Sequence, residues 1–279
     1  MTYQETVKRG EQVLSMAGID DFKTDAWLLL EMVCKIDRGF YYMHMEDDLP
    51  EEQLSEYEIT LRKRAEHIPL QYIIGETEFM GLKFKVNSNV LIPRQDTETL
   101  VEEALKIVRP GMRVLDLCTG SGCVIVSILH NAGGNAGGVK GYAVDISKQA
   151  LIVAKENAKQ NDVTVNFERS DLFDNVTGKF DVIVANPPYI PTAEIAKLMP
   201  EVRDFEPTEA LDGKEDGLYF YRKMVEECGN YLNPGGKILF EIGHDQGDAV
   251  SGLLRDAGFY DVGIVKDLAR HDRVVTGTL

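Results

Sequence analysis

Residues 113–122 read Arg113-Val114-Leu115-Asp116-Leu117-Cys118-Thr119-Gly120-Ser121-Gly122. A short apolar run enters a glycine-containing turn, the pattern of a buried strand that bends tightly into a helix. Gly120 and Gly122 can take backbone angles closed to other residues, which lets a ligand approach the main chain. Packing alone can also select such a turn, so the surrounding segments decide. From about Arg94 onward strand-like and helix-like stretches alternate, the signature of a doubly wound parallel sheet and an α/β fold. The expected strands are 113–117, 141–144, 164–168, 181–185 and 237–242, with two more strand-like runs at 260–265 and 273–276. Helical patterns fall at 147–160, 218–232 and 246–257.

Residues 1 to about 75 carry a different pattern. Val7, Val13, Leu14 and Ala17 recur at helical spacing before Gly18. A second helix is expected from Thr24, as its N-cap, through Ala26, Leu29, Leu30 and Val33. A third follows Leu49-Pro50, with Glu51 and Glu52 in its first turn and Leu54, Tyr57, Leu61 and Ala65 along one side, until Pro69. The division is therefore a helical bundle at 1–75, a β-hairpin linker at 76–92 built on Phe79, Leu82, Phe84 and Val86 around Gly81, and an α/β domain at 93–279.

The 279 residues carry a formal charge of −16. Such a chain repels a phosphate backbone, so nucleic acid is a disfavoured partner. Arg62-Lys63-Arg64 is the one basic cluster and reads as a solvated helix face. No apolar run approaches the roughly 18 residues that span a bilayer. The polar start, Met1–Gly10, lacks a signal-peptide core, and a cytoplasmic protein is expected. Cys34, Cys118, Cys123 and Cys228 form no CxxC pair, and His44, His67, His130, His244 and His271 show no HExxH spacing, so no metal is expected.

Three downstream features give the glycine turn a chemistry. The strand at 141–144 runs into Asp145, with Ser147 as the next helix N-cap. An acid at this strand tip suits the two hydroxyls of a ribose. The gap from Gly120 is lengthened by the glycine-rich insert Gly133–Gly138. Asp171 and Leu172, after the third strand, suit an adenine amino group and the face of its ring. The turn has neither the third glycine of a dinucleotide fingerprint nor a phosphate-binding lysine, so a nucleoside without phosphates, such as S-adenosylmethionine, fits best. Last, the strand at 181–185 ends in Asn186-Pro187-Pro188-Tyr189. The prolines fix φ and remove two donors, and Asn186 is held extended. The Asn186 side-chain oxygen and the Pro187 carbonyl can then accept both hydrogens of one planar NH2 group, with Tyr189 stacked on its plane.

The glycine turn, Asp145 and Asn-Pro-Pro-Tyr together resemble class I methyltransferases that act on planar amino groups. Leu91-Ile92-Pro93-Arg94-Gln95-Asp96-Thr97-Glu98, Pro69–Glu76, Arg203–Pro207, Glu241-Ile242-Gly243 and Asp272–Val275 narrow the resemblance to the release factor glutamine methyltransferase family, PrmC or HemK. Gln95 and Cys118 depart from the family's proline and glycine. The resemblance implies a Rossmann-like sheet of seven mostly parallel strands. It implies S-adenosylmethionine at Cys118, Thr119, Gly120, Ser121, Gly122, Asp145, Asp171, Leu172 and Asn186, with S-adenosylhomocysteine as product. Substrate is expected at Asn186, Pro187, Pro188 and Tyr189, of which Asn186, Pro187 and Tyr189 are catalytic. The target it implies is the GGQ glutamine of class 1 peptide chain release factors, gripped by the helical bundle, with the enzyme a monomer. Asn-Pro-Pro-Tyr by itself also fits a nucleic-acid adenine N6 methyltransferase. Arg94 and Glu98 are expected either at the mouth of the site or in an ion pair that fixes the hairpin.

Overall fold

The computed structural model describes all 279 residues. Met1–Gly75 with Met199–Phe205 form one compact unit, and Glu76–Leu198 with Glu206–Leu279 form the other.

In the first unit α1 (Tyr3–Met16) starts at a capping box, with Thr2 and Glu5 each accepting from the other's backbone N–H. Helix α2 (Phe22–Cys34) begins earlier than expected: Asp21 holds the N-cap position and Thr24 lies inside the first turn. Phe22 packs on the bundle core, which favours extending the helix back to carry it. Two short helices were not expected, α3 (Arg38–His44) and α5 (Leu70–Ile74); they flank α4 (Glu51–Ala65). Leu14, Leu29, Leu30 and Tyr57 centre the core. The Tyr57 hydroxyl donates to the Ala26 carbonyl at 3.1 Å. A Cβ on Gly10 would lie 2.0 Å from that hydroxyl, so α1 can approach only with glycine there.

Arg62 and Lys63 are exposed, but Arg64 is not part of a solvated face. It lies at helical spacing from Leu61 and Tyr57 and shares their buried side. Its Nε donates to Asp25 Oδ2 and its Nη2 meets Glu201 Oε2, both at 2.6 Å. Its Nη1 donates to the Ile68 carbonyl at 3.2 Å.

The second unit opens with β1 (Glu76–Phe79) and β2 (Leu82–Lys85), paired antiparallel. Met80 and Gly81, at φ 52° and 71°, make the two-residue turn that matches strand twist. Pairing stops at Lys85, well short of residue 92. The chain continues through α6 (Glu98–Ile107), β3 (Arg113–Leu117), α7 (Cys123–Asn131), β4 (Lys140–Asp145), α8 (Lys148–Gln160), β5 (Val165–Arg169) and β6 (Phe180–Ala185). After α9 (Thr192–Ile195), α10 (Pro200–Phe205) belongs to the first unit. Then come α11 (Tyr219–Cys228), β7 (Leu232–Glu241), α12 (Gly247–Asp256), β8 (Tyr260–Lys266) and β9 (Asp272–Thr278). Helix α11 ends before the expected residue 232 because Leu232 already pairs with Phe180 at the start of β7.

The sheet order is β5-β4-β3-β6-β7-β9-β8. Strands β3 to β7 are parallel, and β9 runs against both neighbours. Alternate residues serve opposite faces: Val114, Val182 and Leu239 pack in one core cluster, and Leu115, Ile183, Ile238 and Phe240 in the other. Both faces are covered, so the strands read as unbroken apolar runs. The order reverses at β3, and such a switch point leaves a crevice at the strands' carboxyl ends.

Candidate active site

Strand register assembles the site. Leu117 pairs with Val144 on one side and Ala185 on the other. The residues that follow these three are Cys118, Asp145 and Asn186, so they meet at the carboxyl edge of the sheet. Asp145 pairs with Arg169, which brings Ser170 and Asp171 alongside.

These tips open into a cavity of about 400 Å³, within the range of roughly 300–1,000 Å³ usual for small-molecule sites. Of the expected residues, Cys118, Thr119, Gly120, Ser121, Asp145, Asp171, Leu172, Asn186 and Pro188 line it. Gly122, Pro187 and Tyr189 do not. Gly122 packs instead: at φ 78°, a Cβ there would sit 3.1 Å from that of Ala154 on α8. Tyr189 is half-buried behind the wall, its phenol raised by burial and flanked by Glu241, Arg273 and Arg94.

The turn is tied down from two sides. Asp145 Oδ2 accepts from Gly120 N and Oδ1 from Ser147 N, each at 2.8 Å. Burial raises the Asp145 carboxyl while these two donors oppose the rise. Each oxygen keeps a lone pair, so the group can still accept two hydroxyls. Asn157, fully buried on α8, donates to the Ser121 carbonyl at 2.9 Å and to the Lys85 carbonyl at 3.0 Å. Cys118 stands at φ 58° where glycine would be unstrained; a left-handed conformation costs a side-chain-bearing residue about 1–2 kcal/mol. Burial pushes the Cys118 thiol up, and the Cys123 and Cys228 thiols up to about 12, so none is a nucleophile at neutral pH.

Sequence reasoning passed over Asp116. It is 1% exposed, lines the cavity and accepts from the Thr119 hydroxyl at 2.6 Å. Burial pushes its carboxyl up to about 7, against hydrogen bonds from Thr119 and the Ile125 backbone. The available signal was a lone acid inside an apolar strand. The Tyr219, Phe220 and Lys223 wall also went unread.

The Asn-Pro-Pro-Tyr turn is braced by glycines far along the chain. A Cβ on Gly213 would lie 2.7 Å from Tyr189 Cα, and one on Gly217, at φ 73°, would lie 2.3 Å from the Tyr189 carbonyl. Gln246 Nε2 donates to that carbonyl at 3.0 Å. The Asn186 Nδ2 donates to Thr97 Oγ1 at 3.3 Å. Arg94 lines the cavity and pairs with buried Glu206, whereas Glu98 accepts from Met80 N at 2.6 Å and so holds the hairpin turn. His244 is exposed and faces His271 rather than the cavity. No group of three or more His, Cys, Asp or Glu side chains converges in metal-ligand geometry. No helix is long and apolar enough to cross a membrane.

The site is thus a cavity at the strand tips that brings Asp116, Asp145 and Asn186 to one wall, and known proteins match the chain on both sides of it in sequence. A sequence profile described as the PrmC N-terminal domain matches residues 5–75, and one described as the methyltransferase small domain matches residues 95–200. The chain is 39% identical over 267 residues to the release factor glutamine methyltransferase of Geobacter sulfurreducens, covering 95% of this chain and 93% of that one. It is 42% identical over 254 residues to the protein of that name in Thermodesulfovibrio yellowstonii, covering 88% and 89%. A methyltransferase structure from Pyrococcus furiosus, at 19% identity and a TM-score of 0.52, covers 71% of this chain and 89% of its own and shares the fold. The chain belongs to the release factor glutamine methyltransferase family.

Proposed function

We propose that this protein transfers the methyl group of S-adenosylmethionine to the side-chain N5 of the glutamine in the GGQ segment of class 1 peptide chain release factors. One observation carries it: Asn186 and Asp145 follow residues that flank Leu117 in register, so an amide side chain and a carboxylate suited to a ribose share one cavity.

The donor set fits the cofactor. Asp145 keeps acceptor capacity for two ribose hydroxyls, and Leu172 offers an apolar wall beside Asp171 for a purine. Buried Asp116, in its ionised form, is an anionic partner for a cationic ligand. When bound, the sulfonium supplies an already activated methyl group. The protein's task is orientation and electrostatics.

A glutamine amide nitrogen is a weak nucleophile because its lone pair is delocalised into the carbonyl. Asn186 Oδ1 and the Pro187 carbonyl accept its two hydrogens, pull it toward tetrahedral geometry and aim the lone pair along the methyl axis. Near-attack alignment of two reactants can supply roughly 7–11 kcal/mol. Acceptors that bind better as positive charge grows on nitrogen stabilise the transition state further. The helical unit at Met1–Gly75 grips the release factor away from its reactive loop.

The test is transfer of labelled methyl to a purified class 1 release factor, with a Gln-to-Ala GGQ loop and DNA as controls. Label on the wild-type loop alone is expected; label on DNA would favour adenine methylation. At saturating cofactor Asn186→Ala is expected to lose at least about a hundredfold in kcat, the scale of removing one preorganised transition-state partner.

A further inference from the structure

Ala185 pairs with Phe240 in parallel register, so Asn186 at the end of β6 lies beside Glu241 at the end of β7. Thr97 and Asn186 both act on the Glu241 carboxylate as hydrogen-bonding side chains. Glu241 is 1% exposed, yet its Oε2 has no hydrogen-bond partner. A buried carboxylate left part-satisfied is costly, and one of the two side chains that hydrogen-bond to it belongs to the residue proposed to face the substrate.

The geometry bears on a question Thr97 cannot answer. A threonine hydroxyl both donates and accepts, so the contact of Asn186 with Thr97 is compatible with either rotation of the amide. An ionised carboxylate only accepts, so it tolerates the amide NH2 and rejects the amide oxygen. We infer that Glu241 is a positioning residue whose ionised carboxylate turns the Asn186 NH2 inward and leaves Oδ1 facing the substrate nitrogen. Protonated, its O–H donates instead and the inward preference is lost. An NH2 then turned to the cavity would oppose the NH2 it has to bind. The inference rests on Asn186 being the acceptor proposed above.

Other groups around the carboxylate set its charge. Arg273 favours the ionised form and Asp96 opposes it. Arg273 is itself shared between Asp96 at 3.0 Å and Asp267 at 3.1 Å. Tyr189 and Cys123 also face the carboxylate electrostatically, as does Tyr221, whose hydroxyl donates to the Glu241 backbone carbonyl at 2.7 Å. Burial dominates and pushes Glu241 up to about 7.

Two measurements test the role. In cofactor-free protein labelled with 15N-asparagine, the Asn186 side-chain NH2 signal, assigned by its loss in Asn186→Ala, should shift between pH 6 and 8 in wild type and stay fixed in Glu241→Gln. At saturating cofactor, wild-type kcat should rise about tenfold from pH 6 to 8, following the ionised fraction. Glu241→Gln should lose that slope and fall about tenfold at pH 8, with cofactor Kd within twofold. Its retained acceptor should keep it more active than Glu241→Leu. Wild-type kcat that is flat over this range, or a Glu241→Gln enzyme with wild-type kcat and slope, overturns the role. If the variants fail to fold, the wild-type Asn186 signal decides, and its failure to shift overturns the role. A shift without methyl transfer to any release factor supports the positioning and overturns the substrate assignment.

Discussion

Replacing Asp116 with Asn removes the buried carboxylate that the cavity offers to a cationic ligand. In the free protein burial pushes this carboxyl up to about 7. If the cofactor binds only the ionised form, its apparent Kd is the intrinsic Kd divided by the ionised fraction. That fraction is about one in eleven at pH 6 and about ten in eleven at pH 8, so affinity should tighten about tenfold, or about 1.4 kcal/mol. Asp116→Asn keeps the shape and the Thr119 contact but cannot ionise, so its affinity should be weaker and flat with pH. Calorimetric titration with S-adenosylmethionine at pH 6, 7 and 8 measures both, and proton release on binding in two buffers of different ionisation enthalpy gives an independent check. Wild-type affinity that does not change with pH would refute the reasoning. So would an equal slope in Asp116→Asn, which would move the linkage to Asp145, whose carboxyl is also raised by burial.

Gly217→Ala forces a side chain into a left-handed backbone and against the Tyr189 carbonyl; strain of about 1–2 kcal/mol and overpacking of about 1–3 kcal/mol together predict a loss of about 2–5 kcal/mol, read from the unfolding midpoint of the second unit. Arg64→Met leaves Asp25 and Glu201 without their shared cation and should cost the helical unit about 3–5 kcal/mol, with Asp25→Asn recovering part of it. Asp116 and Glu241 both titrate near 7 in the folded protein, against about 4 when unfolded. Between about pH 4 and 7 the native state therefore holds more protons, so these two groups lower the stability of ligand-free protein as pH rises through that window. The melting temperature should show the fall, and Asp116→Asn should flatten it.

Much of the site was open to sequence reasoning because its parts are local. A strand tip followed by Asp145 or Asn186 is set by the residue after an apolar run. The cavity does bring Cys118, Asp145, Asp171, Leu172 and Asn186 together. What escaped depended on distant partners. Asp116 looked like a strand residue until burial against α7 made it the cavity's raised carboxyl. Arg64 looked solvated because its partner Glu201 lies far along the chain.

By itself the sequence determined the alternation of strands and helices, the glycine turn, and the rigid turn at Asn186-Pro187-Pro188-Tyr189, since period, φ restriction and donor loss are properties of neighbouring residues. Only the tertiary structure decided which strand tips meet, which side chains surround the Asn186 amide, and which glycines hold Tyr189 in place. Those outcomes follow from register and burial, which sum interactions between residues as far apart as Thr97, Asn186 and Glu241.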